Sequence, residues 1–360
     1  MNSNKPCNIR ADVKLRNGYP NWWCHTHYAS ARGEGGKRLD KCVKADQLAV
    51  LPEDKIHIDI TEYPGGVGIW GSLQAVYDTK REIPEKGVHV HLRRNVGEEK
   101  KIDRTFKEVY VRLPGKLFKD ENWVMIDEYT ACAYTASILF NKDIKVIRCK
   151  HCHREHIDAD WFAVHYHKKH FCTYCGRDFI DTERGISNPV LSLQQALHEQ
   201  LKDREIINVD RSLNISQVDY PGGIQVWASN PAIIWTASRP EEAGIHVHLF
   251  KEKNAGPDSD DTYGEVIIDG IKLDADMVRT YMVQRSFSFL DRLIVSLTCP
   301  NCEKEHFDNG DLAFQPHKDH DCEHCGANFK DGTRFKGVVS NPIVARLQRL
   351  EANRNSLNYE

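Results

Sequence analysis

The chain has almost no charge of one sign to spend: 49 lysines and arginines face 52 aspartates and glutamates over 360 residues, leaving a formal −3. Phosphate backbones call for a basic footprint, so this balance does not favour a nucleic-acid-binding function. An apolar run of membrane-spanning length is missing, and the opening MNSNKPCNIR leads into no apolar signal core. No membrane partner is expected, and the cytoplasm is the expected compartment. Familiar catalytic signatures are missing too. Gly33, Gly35 and Gly36 follow no strand pattern in the sequence and precede no Gly-Lys-Ser/Thr, so no phosphate loop is expected there. The sequence has no H-E-x-x-H, no serine elbow, and no H-x-E with P-C-x-x-C, because Cys299-Pro-Asn-Cys302 holds its proline inside the pair. Hydrophobic and charged contents of 40% and 28% are those of an ordinary soluble globular protein, with length for two or three domains.

Cysteine and histidine are what the chain does have. CKHCHREHIDADWFAVHYHKKHFCTYCG begins at Cys149, and CPNCEKEHFDNGDLAFQPHKDHDCEHCG begins at Cys299. Laid together without a gap, they share Cys149/Cys299, Cys152/Cys302, Cys172/Cys322 and Cys175/Cys325, with His156/His306, His167/His317 and His170/His320. Each copy pairs two C-x2-C turns, four soft ligands at the spacing of a tetrahedral structural zinc site. Disulfides are the alternative, and a chain with no secretion signal disfavours them. Zinc is therefore expected as the cofactor, two or more per chain.

These paired knuckles resemble those of zinc-ribbon and treble-clef modules. The resemblance covers under thirty residues per copy, 149–175 and 299–325, and implies a metal and a local shape, not an activity. The three shared histidines stay open between three roles: replacing thiolates in a mixed site, forming a separate three-histidine site, or shaping the loop by hydrogen bonds. His151, His153 and His165 are weaker candidates, since the second copy has Asn301, Glu303 and Gln315 there.

The likeness extends upstream. Tyr63-Pro64-Gly65-Gly66 recurs as Tyr220-Pro221-Gly222-Gly223, and the same offset of 157 carries Trp70 to Trp227, His89 to His246, His91 to His248, Asp103 to Asp260 and Glu108 to Glu265. An α+β protein of two duplicated domains is expected, 54–205 and 206–360. Each is expected to be a small antiparallel β-sheet opened by a YPGG hairpin, followed by helices and a four-cysteine zinc module, and closed by a Ser-Asn-Pro-capped helix. Residues 1–53 form an N-terminal extension in which Cys24, His27 and Cys42 are candidates for a further metal site.

GVHVHL and GIHVHL alternate apolar and histidine positions, so His89 and His91, and His246 and His248, share one strand face and can share one metal. Asp103, Glu108, Asp260 and Glu265 either complete such a site or line a solvated hairpin edge. The sequence thus carries a leading reading, a zinc-stabilised binding or scaffold protein with a protein partner or self-association. A second is a metal-dependent hydrolase or nucleotide-processing enzyme with His89, His91, His246 and His248 as catalytic candidates. The third is nucleic-acid binding through the zinc modules. In the metalloenzyme reading, the third ligand is expected from the loop histidines.

Overall fold

The structure, a computed structural model, describes residues 55–80, 87–97, 102–112, 123–197, 205–229, 231–287, 289–290, 292–333 and 337–357, and the backbone of 9–14, 20–24 and 29–30. The described residues form a mixed α/β arrangement of small sheets and four helices, α1 (Glu128–Leu139), α2 (Val190–Ala196), α3 (Ala275–Ser286) and α4 (Ile343–Leu357). No helix among the described residues is long and apolar enough to cross a membrane. Two compact units emerge, and neither is contiguous in sequence. The first comprises Met1–Ser72, Pro84–Lys202 and Ala232–Ser238; the second comprises Leu73–Ile83, Asp203–Pro231 and Arg239–Glu360.

In the first unit, Gly66–Ser72 and Gly87–Arg93 are the central strands of a four-stranded antiparallel sheet, flanked by Ile234–Trp235 and Ile102–Phe106. Val88, Val90 and Leu92 lie wholly buried beneath it, and His89 and His91 project from the other face. The alternation that predicted this strand is the pleat itself, each buried aliphatic side chain contributing about 1.5–3 kcal/mol. Ile58, Ile69, Val109, Val111, Ile126 and Leu193 extend the same core. α1 starts on Asp127, whose carboxylate accepts from the Thr130 N–H at 2.8 Å. The backbone of Ile9–Lys14, Pro20–Cys24 and Ala29–Ser30 forms a separate three-stranded sheet.

The YPGG stretch is not a hairpin. Lys55–Ile58, the strand before it, runs parallel to Glu108–Arg112, while the strand after it pairs with Gly87–Arg93. Tyr63–Gly66 is instead a turn between two sheets, following a 3-10 turn at Ile60–Glu62, with Gly66 at φ +121°. Parallel pairs make the sheets mixed rather than purely antiparallel, because long connections return the chain beside a strand laid down much earlier.

The second unit has Glu241–Phe250 paired with both Gly223–Ser229 and Ser259–Tyr263, and Ser212–Ile215 parallel to Glu265–Ile268. Its central register, Gly223↔Phe250 and His248↔Asp260, sits 157 residues after Gly66↔Arg93 and His91↔Asp103.

The Ser-Asn-Pro motifs divide their labour. Asn188 Oδ1 accepts from the Val190 N–H at 3.0 Å, and Asn341 Oδ1 from the Ile343 N–H at 3.1 Å, capping α2 and α4. Ser187 and Ser340 face the zinc modules instead. Ser187 Oγ donates to the His156 carbonyl at 2.7 Å and Ser340 Oγ to that of His306 at 2.7 Å.

Candidate metal centres

Each four-cysteine set converges. Cys149 and Cys175 sulfurs lie 3.7 Å apart and those of Cys152 and Cys172 3.6 Å; in the second module Cys299–Cys325 is 3.8 Å and Cys302–Cys322 3.6 Å. A disulfide needs about 2.05 Å. A tetrahedron of thiolates about 2.3 Å from a zinc has edges of about 3.8 Å, which is the spacing found. The two clusters are compatible with two zinc ions.

Local backbone chemistry makes the knuckles. The His153 N–H returns to the Cys149 carbonyl at 2.8 Å and the Gly176 N–H to the Cys172 carbonyl at 2.8 Å, with φ of +59° at His153 and +71° at Gly176. Glu303 and Gly326 repeat this in the second module. Non-glycine residues resist that left-handed conformation by about 1–2 kcal/mol. The sulfurs are also electrostatically unequal. Burial pushes the Cys172 thiol up to about 12. Burial opposes ionisation of Cys149 too, but the N–H groups of Cys152 and His151 prevail and bring it down to about 7. The Asn301 carboxamide and the Ala327 N–H lower Cys325 to about 6.

The loop histidines converge on an aspartate and not on the sulfurs. Asp158 Oδ1 meets His156 Nε2 at 2.6 Å, His167 Nε2 at 3.1 Å and His170 Nδ1 at 3.1 Å, while its Oδ2 accepts from the Ser187 N–H at 2.7 Å. Asp308 is met by His306 at 2.8 Å, His317 at 3.3 Å and His320 at 3.3 Å, and accepts from the Ser340 N–H at 2.6 Å. Burial opposes the charge on Asp158, yet the three imidazoles hold its carboxyl far below the usual range. Asp308 is lowered against burial by His306 and the Ser340 N–H. Conversely, Asp158 raises His167 and Asp308 raises His306, each against burial. His156, Asp158 and His170 offer ligand atoms within 4.8 Å of one another. Phe179 and Phe329 wall these hubs, stacked on His170 and His320 at 5.2 and 5.4 Å. Neither aspartate stood among the sequence candidates, although the gapless overlay that aligned the histidines also aligns Asp158 with Asp308.

On the strand face, His89 and His91 bring their Nε2 atoms to 2.9 Å, and Asp103 Oδ1 lies 3.1 Å from each. His246 and His248 stand 3.0 Å apart, with Asp260 Oδ1 at 3.2 and 3.4 Å. The pairings His91↔Asp103 and His248↔Asp260 put each carboxylate on the neighbouring strand. Thr105 Oγ1 sits 3.1 Å from His89 Nδ1, and Thr262 Oγ1 3.3 Å from His246 Nδ1. Trp70 and Trp227 stand edge-on to His91 and His248 at 4.8 Å. The third group beside each histidine pair is thus an aspartate, not the loop histidine expected from the sequence. Glu108 instead pairs with Lys55 at 2.8 Å, and Glu265 pairs with Lys272. The N-terminal candidate set lies outside the described residues: His27 and Cys42 wholly, and Cys24 in all but its backbone.

Compared with known proteins, the chain matches no family, no curated protein and no solved structure.

Proposed function

We propose that this chain is an internally duplicated, zinc-stabilised binding protein whose partner is another protein or a second copy of itself. The sulfur spacing carries the reading: both knuckle sets have the edge length of a closed tetrahedral zinc site. A closed site supplies folding energy to a module with little core of its own. In the first module the apolar nucleus beside the cysteines is only Ile147 and Phe179. The matched registers at an offset of 157 support two copies of one ancestral unit. Retention of a complete ligand set in both favours binding over catalysis, because a duplicated enzyme needs only one working site. Trp161, Phe162 and Tyr174, exposed on the first module, supply apolar contact area.

Elemental analysis of the purified chain should return at least one zinc for each of the two clusters, and chelation should collapse the modules. Fully folded protein with less than one zinc per chain would falsify the reading.

A metal-dependent hydrolase is the second reading, favoured by the strand triads. Three protein ligands at a surface site leave room for a water, the format of catalytic rather than structural zinc, and a bound metal lowers the pKa of such a water and makes it a nucleophile.

A further inference from the structure

We infer that His89, His91 and Asp103, and likewise His246, His248 and Asp260, are solvent-open sites for a divalent first-row transition metal. These sites are separate from the cysteine zincs and do not depend on whether the chain is a binding protein or an enzyme.

The hydrogens of two imidazoles cannot satisfy each triad. In the first unit three atoms form a triangle with edges of 2.9, 3.1 and 3.1 Å. A neutral imidazole nitrogen is either a donor or an acceptor, never both. With Asp103 ionised, one protonated Nε2 satisfies the edges it shares but leaves the other nitrogen's lone pair facing the carboxylate. With both Nε2 atoms protonated, the carboxylate edges close and the 2.9 Å edge becomes N–H against N–H. No distribution of protons on two imidazoles closes all three edges, whereas one cation capping the triangle does.

The opposite ring nitrogens fit this arrangement. With Nε2 as the ligand atom, Nδ1 carries the hydrogen and donates it to Thr105 Oγ1, and His246 does the same to Thr262. Ligating histidines are commonly oriented in this way through the opposite nitrogen. The arrangement recurs in the second unit on a different set of neighbours: Gly68, which pairs with His91, is replaced by Gln225, which pairs with His248.

Edge length indicates the kind of metal. Ligands about 2.1 Å from an ion sit about 3.0 Å apart on an octahedral face and about 3.4 Å apart on a tetrahedral one. The first triad has octahedral edges, and the second, at 3.0–3.4 Å, spans the two. Two imidazoles and a carboxylate on one face leave the opposite positions open, a donor set suited to ions such as Fe(II), Mn(II) or Co(II). The side chains of the first triad are 34, 14 and 36% exposed, so water and small oxygen-donor anions can reach those positions.

The test uses the full chain with both knuckles zinc-loaded, titrated with Co(II) and, separately, Mn(II). Wild type should take up one cobalt per triad, with the weak absorption of nitrogen–oxygen coordination and no thiolate-to-cobalt band. Bound Mn(II) should enhance water-proton relaxation, and added inorganic phosphate should reduce that enhancement. The variant H89A/H91A/H246A/H248A should keep its knuckle zincs and lose the added cobalt. If this variant does not fold, D103N/D260N keeps every imidazole and the sheet, and its cobalt affinity should fall at least about tenfold. Equal cobalt uptake in wild type and the folded variant, or unchanged affinity in D103N/D260N, overturns the site. Bound Mn(II) without relaxation enhancement overturns its openness. Knuckle zincs absent from wild type would count against the zinc-stabilised reading and not against this one.

Discussion

His156 Nε2 approaches Asp158 Oδ1 to 2.6 Å where both side chains are 2% exposed, so a full carboxylate charge is kept inside the first module. The charge is tolerable because three imidazoles and one backbone N–H surround it. An asparagine there keeps one acceptor oxygen but loses the charge, and turns an NH2 donor toward either the imidazoles or the Ser187 N–H. Asp158→Asn should therefore destabilise the first unit by about 3–5 kcal/mol in urea unfolding, the cost of breaking a buried charge pair from one side. A loss under 1 kcal/mol would mean that the hub is dispensable.

The same hub sets a pH dependence. The folded carboxyl of Asp158 is held below its unfolded value of about 3.9, so its contribution is complete above that pH. It is lost as pH falls below 4 toward the folded value. The stability gap between wild type and Asp158→Asn should narrow across that acid range, and it should also fall as pH rises through the folded pKa of His167, which Asp158 holds above its unfolded value of about 6.5. Unfolding curves of both proteins at stepped pH would show it, and a gap that widened across that acid range would contradict the sign.

Cys172 is wholly buried at the centre of its knuckle, with its thiol pushed up to about 12 when no ion draws off the proton. Cys172→Ser should remove one zinc from the chain and leave the second module's zinc in place. Limited proteolysis should then cut within 149–175 and spare 299–325. Apparent zinc-coupled folding energies run to about 10–16 kcal/mol, so partial retention of the first module is not expected.

The knuckles, the histidine strands and the shared offsets were legible because cysteine spacing and period-two alternation are local facts. What the sequence concealed was non-local. Lys55–Ile58 finds its partner at Glu108–Arg112, some fifty residues on, and no local pattern names that partner. The segments Leu73–Ile83 and Ala232–Ser238 each join the unit that does not contain their sequence neighbours, which no offset reveals. Asp103 reads more readily as a solvated hairpin edge, because only the cross-strand register aims it at His91. Asp158 and Asp308 align in the gapless overlay, but a lone aspartate among charged neighbours carries little weight without the three imidazoles the fold brings around it.

Asn341 joins two helices with one side chain. Its Oδ1 caps α4 through Ile343, and its Nδ2 donates to the Met277 carbonyl in α3 at 3.1 Å. Asn341→Ala loses the cap, worth about 1 kcal/mol, and leaves the Met277 carbonyl short of a donor where the asparagine was fully buried. A fall of about 2–3 kcal/mol in the second unit's stability is expected by chemical denaturation. Asn341→Asp, which keeps the cap acceptor, should recover part of it.

Gly66 and Gly97 allow one conformational effect to be separated from one steric effect. Both have positive φ, +121° and +84°. A Cβ at Gly97 would meet nothing within 4 Å, whereas one at Gly66 would stand 2.7 Å from both Cα and Cβ of Ala237. Ala237 belongs to Ala232–Ser238, the segment that supplies the edge strand Ile234–Trp235 to the first unit's sheet. Gly97→Ala should therefore cost only the left-handed backbone term, about 1–2 kcal/mol. Gly66→Ala adds a collision with main chain, which only a shift of that edge strand relieves, and should cost at least about 2 kcal/mol more. Hydrogen exchange should locate the difference: amides of Ile233 and Thr236, which bond to the carbonyls of Ile69 and Val67, should lose protection in Gly66→Ala and keep it in Gly97→Ala. Equal costs for the two substitutions would show that the Ala232–Ser238 segment is not seated against Gly66 as described.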